Sequence, residues 1–222
     1  AGADPSGSNF AHETPYPAGY PVWTGRLVPA IAGALLPWII YLVARALSLR
    51  PWLAFLAGVL ALADTALAVE SRFQLIDVFV PFFGFLAILG FLRHAAAQAG
   101  SFASIAWLFA SALAAGAAVS VKWTGGAALL VVGFATLFGI VRARGAGEWA
   151  ARIAAYTLVP VAVYLASFAA HFAILTRDSE AATAFSPEFR ASLDGHGPMG
   201  FWDKLVEQHR VVFRIHRTYP LH

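Results

Sequence analysis

The sequence predicts an all-α membrane protein that crosses the bilayer several times. Of its 222 residues, 59% are hydrophobic and only 12% are charged, whereas a soluble domain has about 45–50% apolar and about 25% charged residues. The mean hydropathy is +0.69, and the apolar residues occur in long blocks rather than in amphipathic stripes. In lipid the backbone must satisfy its own polar groups, so blocks of this kind form helices.

Charge and cysteine content exclude several other classes. The formal net charge of +3 is too small to indicate a nucleic-acid partner. The chain has no cysteine, which excludes disulfides and thiolate metal sites.

The first element, residues 1–26, is predicted to be an extracytoplasmic loop, because it is rich in Gly, Pro, Ser and Asn. It has no initiator Met, basic segment or apolar segment of a signal peptide. We therefore expect the chain to be an internal fragment of a longer membrane protein.

The second region, residues 27–175, is predicted to hold six transmembrane helices. Each apolar block is close to the ~20 residues that cross ~30 Å of hydrocarbon. The predicted spans are about 27–46, 52–69, 73–92, 103–121, 123–141 and 153–174.

The last region, residues 176–222, is more polar and is predicted to be a second extracytoplasmic loop. Within it, residues about 201–217 alternate apolar and charged side chains at helical spacing, which predicts an amphipathic helix in the outer interface. Its arginine stripe (Arg210, Arg214 and Arg217) is interpreted as a solvated or headgroup-facing surface. The histidines of this region lack partners at ligand spacing, so we expect no metal site.

Basic residues in the short loops predict the orientation. Six lie on one side, at Arg45, Arg50, Arg93, Arg142, Arg144 and Arg152, and three lie on the other, at Arg26, Arg72 and Lys122. The side with more basic residues is expected to be cytoplasmic. This places the two long loops, residues 1–26 and 176–222, outside.

Five charged residues are predicted to lie at a similar depth near the outer face: Arg26, Asp64, Arg72, Asp77 and Lys122. A charge at a helix centre costs roughly 2.5–3.5 kcal/mol, so pairing of Arg72 with Asp64 or Asp77 would offset its burial. Two interpretations stay open. The charges form structural ion pairs and interfacial anchors, or they line an outward-facing cavity for an anion such as a lipid phosphate.

Four stretches, in order, resemble the protein O-mannosyltransferase family. They are GRLVPAIAGALLPWIIYLVARAL (25–47), LALADTALAVESRFQLIDVFVPFFGFLA (60–87), AAGAAVSVKWTGG (114–126) and GFWDKLVEQHRVVFRIHRTYPLH (200–222). The third contains the pattern SxKWxG. The second departs from the family only in having LID in place of the commoner LLD.

The resemblance implies a GT-C membrane fold and the use of a polyprenyl-phosphate sugar, usually mannose, to glycosylate protein Ser or Thr hydroxyls, or a related acceptor, outside the cytoplasm. It implies no metal and no other cofactor. Arg26 and Lys122 fall where the family has cations facing the lipid phosphate. Asp64, Arg72 and Asp77 are expected to shape the site or to be structural.

The resemblance also implies that the general base is an acidic residue in the loop after the family's first span, upstream of Ala1. The catalytic residue is therefore unknown here, Glu13 is interpreted as a solvated loop residue, and the fragment is expected to be inactive. Thirteen of the fifteen basic residues are Arg and Ala is very frequent, which indicates a bacterial genome. We therefore expect a protein of the bacterial plasma membrane, and the resemblance implies that its active site faces outside.

Two other classes of membrane protein are compatible with the composition. A transporter or channel with an outward-facing polar site would show broken helices, internal repeats and charge near the bilayer centre. Here the charges lie at the outer ends and no repeat is visible, which favours the transferase. A purely structural membrane subunit is the third possibility.

Overall fold

The regular structure of the chain is helical throughout the described residues. The computed structural model describes residues 22–72, 76–137, 145–174, 184–193 and 197–218, and these ranges contain no strand. The helices are α1 (Val22–Ala46), α2 (Pro51–Leu62), α3 (Thr65–Arg72), α4 (Phe79–Ala96), α5 (Phe102–Val121), α6 (Gly126–Leu137), α7 (Ala146–Ile174), α8 (Pro187–Leu193) and α9 (Phe201–Thr218). A single 3-10 turn, Trp123–Gly125, lies between α5 and α6. The predicted all-α class is confirmed.

Four of the described helices are long and apolar enough to cross a membrane: α1, α4, α5 and α7. Helices α2 and α3 qualify only together, as one broken span bent by 58°. The apolar helix from Trp123 to Leu137 is shorter than a full span, and the predicted fifth span, 123–141, is described only up to Leu137. The described residues thus hold four spans, or five with the bent pair, and the count of six stays a prediction.

The bend shows that the predicted span 52–69 is not one straight helix. Helix α2 ends at Leu62, and Asp64 immediately precedes α3, which begins at Thr65. Asp64 Oδ1 accepts hydrogen bonds from the backbone N–H groups of Ala66 at 2.9 Å and Leu67 at 3.1 Å. This is an N-cap, which satisfies backbone donors that have no partner inside the helix.

Helix α4 lies at the centre of the described bundle, where it packs against α1 and α5, and α5 packs in turn against α7. Between α1 and α4 the buried residues are Ile39, Val43 and Leu89. Between α5 and α7, Leu108 and Ala112 bury against Ala155. This arrangement fixes the C-terminal end of α5, which carries the candidate site.

Small residues allow the helices to approach closely. A Cβ added at Gly116 on α5 would lie 2.8 Å from Pro160 Cα on α7, and one added at Gly90 on α4 would lie 2.8 Å from Ser111 Cβ on α5. Ser111 also donates a hydrogen bond to the Ala87 carbonyl at 2.5 Å. Helices in lipid associate through such close packing and hydrogen bonds rather than through the hydrophobic effect.

Helix α9 occupies the position of the predicted amphipathic helix. Leu205 and Val211 are buried, whereas Trp202 and Phe213 are exposed. Glu207 accepts hydrogen bonds from the backbone N–H and the hydroxyl of Ser186, at 2.6 and 2.9 Å. These bonds join α9 to the residue that precedes α8.

Candidate functional site

The candidate site is built at the break between α5 and α6. The Lys122 N–H donates to the Ala118 carbonyl at 3.3 Å and closes α5, while the Gly125 N–H donates to the Lys122 carbonyl at 2.8 Å. A Cβ at Gly125 would collide with the Ala118 carbonyl, so only glycine fits this tight turn. Lys122 itself is extended, with φ −160° and ψ 143°, and it lies just outside the span formed by α5.

Lys122 forms an ion pair with Asp77, which precedes α4. Lys122 Nζ donates to Asp77 Oδ1 at 2.8 Å, and the two side chains are 55% and 37% exposed. The hydrogen bond from Lys122 to Asp77 and the negative charge of that carboxylate raise the pKa of Lys122 above its ordinary value of 10.5. The ammonium group is therefore charged at neutral pH and has two donors left for another ligand.

A cavity of about 330 Å³ lies next to Lys122. Its walls come from α5, the 3-10 turn, α7 and α9, and they include Lys122, Trp123, Tyr164, Phe168, His209 and Val212. The site thus combines one cation with a mainly apolar, partly aromatic wall, which suits a ligand that has both an anionic and an apolar part.

Hydrogen bonds connect three of these aromatic residues. Trp123 Nε1 donates to the Tyr164 hydroxyl at 3.1 Å, and the Tyr164 hydroxyl lies 2.6 Å from His209 Nε2. His209 Nδ1 lies 2.6 Å from the Leu205 carbonyl. Trp123 and His209 also stack, with ring centroids 5.8 Å apart and planes inclined by 18°. Helix α9 is therefore joined to α7 and to the turn that follows Lys122.

The predicted pairing of Arg72 with Asp64 or Asp77 is not observed. Within the part of the chain that the structure describes, the ion pair of Asp77 is with Lys122, and the Asp64 carboxylate caps α3. The reason is geometric, because Asp77 lies in the turn before α4 rather than inside a span. Arg72 is exposed at the end of α3 and lines a separate cavity of about 290 Å³ between α1, α2 and α3.

Of the two predicted phosphate-facing cations, Lys122 lines the aromatic cavity. Arg26 is exposed in the second turn of α1, and it is not among the residues that line this cavity. Glu13 lies outside the described residues.

A second polar cluster lies at the other end of α4, α5 and α7. Arg152 is 1% exposed and donates to Glu148 Oε1 at 2.6 Å. Its Nε lies 3.3 Å from His94 Nε2, while His94 Nδ1 lies 2.9 Å from the Ser104 carbonyl. The guanidinium carbon also lies 5.3 Å above the Phe91 ring. These contacts join three spans at the end opposite to Lys122.

Sequence reasoning missed most of this second cluster and the aromatic chain. The sequence predicts Arg152 in a short loop, but it lies inside α7. The i, i+4 spacing of Glu148 and Arg152 at a helix start could have indicated their pair. No local signal joins His209 to Tyr164, which lies 45 residues earlier. Among the described residues, no group of three or more His, Cys, Asp or Glu could hold a metal ion.

The fold and the site define an integral membrane protein with a polar site at its helix ends. Residues 2–176 match the family described as dolichyl-phosphate-mannose-protein mannosyltransferase, and the chain belongs to this family. This confirms the resemblance found in the sequence. It gives no support to the hypothesis of a transporter or channel.

Individual relatives agree with the family. The mouse (Mus musculus) Protein O-mannosyl-transferase 1 is 32% identical over 192 residues, which is 81% of this chain and 26% of the relative. The Corynebacterium glutamicum polyprenol-phosphate-mannose–protein mannosyltransferase is 45% identical over 65 residues, 29% of this chain and 12% of the relative. The chain thus spans about a quarter of the length of the mouse protein.

A solved structure has the same fold. The Saccharomyces cerevisiae protein O-mannosyltransferase Pmt1-Pmt2 complex, bound to the sugar donor, matches with a TM-score of 0.69 and 29% identity. The match covers 79% of this chain and 25% of the yeast chain. The described helices are therefore one part of a GT-C fold.

Proposed function

We propose that this chain is part of a membrane glycosyltransferase that moves mannose from a polyprenyl-phosphate carrier to a Ser or Thr hydroxyl of a protein. The observation that carries the proposal is Lys122, a cation at an outer helix break beside an aromatic cavity. It lies in the SVKWTG stretch, and the mouse, yeast and Corynebacterium relatives all carry names of mannosyltransferases.

The chemistry needs a fixed positive charge at the leaving group. The acceptor oxygen forms a bond to the anomeric carbon of mannose while the bond from that carbon to the carrier phosphate breaks. A general base takes the hydroxyl proton, and the lipid phosphate leaves with an added negative charge. An ammonium group that is already in place stabilises this charge as it develops, and such preorganised electrostatics is usually the largest catalytic contribution.

We assign Lys122 to the donor phosphate and keep Arg26 as a second candidate cation. Arg26 is exposed on α1, and movement of its long side chain would be required to reach a ligand in the cavity. Asp64, by contrast, is given a structural role as the cap of α3. Asp77 shapes the site by holding the ammonium group of Lys122.

The general base is proposed to be an acidic residue upstream of Ala1. Of the carboxylates near Lys122, Asp77 is already engaged in the ion pair, and Glu70 acts on Lys122 through its charge. On this proposal, residues 1–222 alone would not transfer sugar. The site would face outside the plasma membrane of a bacterium, since the basic residues of the short loops are concentrated on the opposite side.

The test compares the two lysines of the chain, Lys122 and Lys204. In the natural polypeptide that contains this chain, Lys122→Ala should lower transfer from polyprenyl-phosphate-mannose by about 10²–10³-fold, the range found when one stabilising donor is removed from an enzyme. Lys204, on α9, donates to the Ser192 carbonyl at 3.1 Å, and Lys204→Ala is the control.

Transfer is measured with membranes that contain equal amounts of each variant, a labelled donor and a Ser/Thr-containing acceptor peptide. Normal turnover by Lys122→Ala would show that Lys122 is an interfacial anchor and would remove the assignment.

A further inference from the structure

We propose that His209 is a positioning residue for Lys122, acting through Tyr164 and Trp123, so that the amphipathic helix α9 holds the donor site in its working geometry. This inference rests on the proposed function, because it assigns a role in donor binding. It concerns residues on α7 and α9 that the sequence did not indicate.

The direction of each hydrogen bond that links His209, Tyr164 and Trp123 follows from the groups involved. The Leu205 carbonyl can only accept, so His209 Nδ1 donates in this hydrogen bond. Nε2 is then an acceptor for the Tyr164 hydroxyl at 2.6 Å. The indole of Trp123 can only donate, and it donates to the same hydroxyl at 3.1 Å. Each hydrogen bond thus has a defined donor and acceptor, and the three side chains form a continuous hydrogen-bonded series.

Ring packing holds the same residues in place. The His209 ring stacks on Trp123, and Phe213, one turn further along α9, lies 4.9 Å from Trp123 between ring centroids. Phe168 packs against His209 from the side of α7 at 5.4 Å. The Trp123 side chain is therefore fixed by α7 and α9 together, although 46% of its surface is exposed.

The fixed position of Trp123 determines where Lys122 lies. The two residues are neighbours in a turn that has little freedom, because Gly125 packs directly on the Ala118 carbonyl. Lys122 pairs with Asp77 on one side, while Trp123 is held by Tyr164 and His209 on the other. Release of Trp123 would remove one of these two side-chain restraints and would let the Lys122 ammonium group move away from the ligand.

The experiment separates the hydrogen bonds from the ring packing. It uses the natural polypeptide that contains this chain, in membranes, with polyprenyl-phosphate-mannose as the varied substrate. Tyr164→Phe and His209→Phe keep aromatic rings but interrupt the series of hydrogen bonds. His209→Gln keeps a hydrogen-bond acceptor and loses the ring. We expect both Phe variants to lower kcat/KM for the donor by about five- to tenfold, and the double variant to do no worse.

Two further measurements distinguish positioning from a general structural role. His209→Gln should recover most of the lost kcat/KM, and the KM for the acceptor peptide should not change in any of these variants. Tyr156→Phe is the matched control, since Tyr156 lies two turns earlier on α7 and donates a similar hydrogen bond to Ser111 at 2.7 Å. It removes one tyrosine hydroxyl far from Lys122 and should leave the donor kinetics unchanged.

The inference is overturned if both Phe variants match Tyr156→Phe, or if His209→Gln is worse than His209→Phe. Lys122→Ala, measured in parallel, keeps the two proposals apart. If Lys122→Ala is impaired and the Phe variants are normal, only the positioning role is wrong. If Lys122→Ala is itself normal, the proposed donor site is wrong.

Discussion

At the scale of single residues, Lys122 and Asp77 form the pair on which the candidate site depends. Their 2.8 Å hydrogen bond raises the pKa of Lys122, so the pair contributes stability at pH values below 10.5. The part that comes from the raised pKa of Lys122 is lost as the pH rises through that pKa. Because both side chains are partly exposed, the pair adds little to overall stability. Its effect lies in where it holds the ammonium group.

This role predicts different outcomes for two substitutions of Asp77. Asp77→Asn keeps an acceptor for Lys122 and should retain most of the donor kcat/KM. Asp77→Ala leaves the ammonium group unrestrained and should lower that value by about tenfold. Steady-state kinetics of the natural polypeptide at neutral pH would measure both. Equal kcat/KM values for the two variants would show that Asp77 does not orient Lys122.

At the scale of elements, the His94, Glu148 and Arg152 cluster joins α4, α5 and α7. Arg152→Ala should lower the free energy of unfolding by about 3–5 kcal/mol, because it removes a buried cation from the Glu148 carboxylate. Thermal melting of the detergent-solubilised protein would measure the effect. Arg93→Ala is the matched control, an exposed arginine at the same end of α4, and should change stability by less than about 0.5 kcal/mol. Equal melting temperatures for the Arg152→Ala and Arg93→Ala variants would contradict the prediction.

At the scale of the whole molecule, the distribution of charge predicts that both long loops face outside. A chain without cysteine allows a direct test. Ser8→Cys and Ala191→Cys should react with a membrane-impermeant maleimide in intact cells, and Ala146→Cys should react only after the membrane is opened. Ala146 and Ala191 are both exposed, so accessibility within the chain does not bias the comparison. Reaction of Ala146→Cys in intact cells would show that the orientation is the opposite of the one predicted.

Composition predicted the class of this molecule because lipid imposes one simple rule, namely long apolar helices. The limits of span four, 103–121, agree with α5 to within one residue because Ser101 caps its start, accepting from the Ser104 N–H at 3.1 Å. Side-chain partners were harder to predict. The sequence predicts that Arg72 pairs with Asp64 or Asp77, its near neighbours in sequence, whereas the partner of Asp77 is Lys122, 45 residues away. Such contacts depend on how helices pack, which hydropathy does not encode.

The bend between α2 and α3 has a consequence for hydration. Backbone groups released at a break are tolerated at membrane depth only where protein or water meets them, and Asp64, which caps the break, is exposed. Helix α3, with eight residues, is only about 12 Å long, so we expect water to reach its start. In D2O, the amides of residues 63–67 should therefore exchange with deuterium faster than those within α5, and equally slow exchange would place the break in a dry environment.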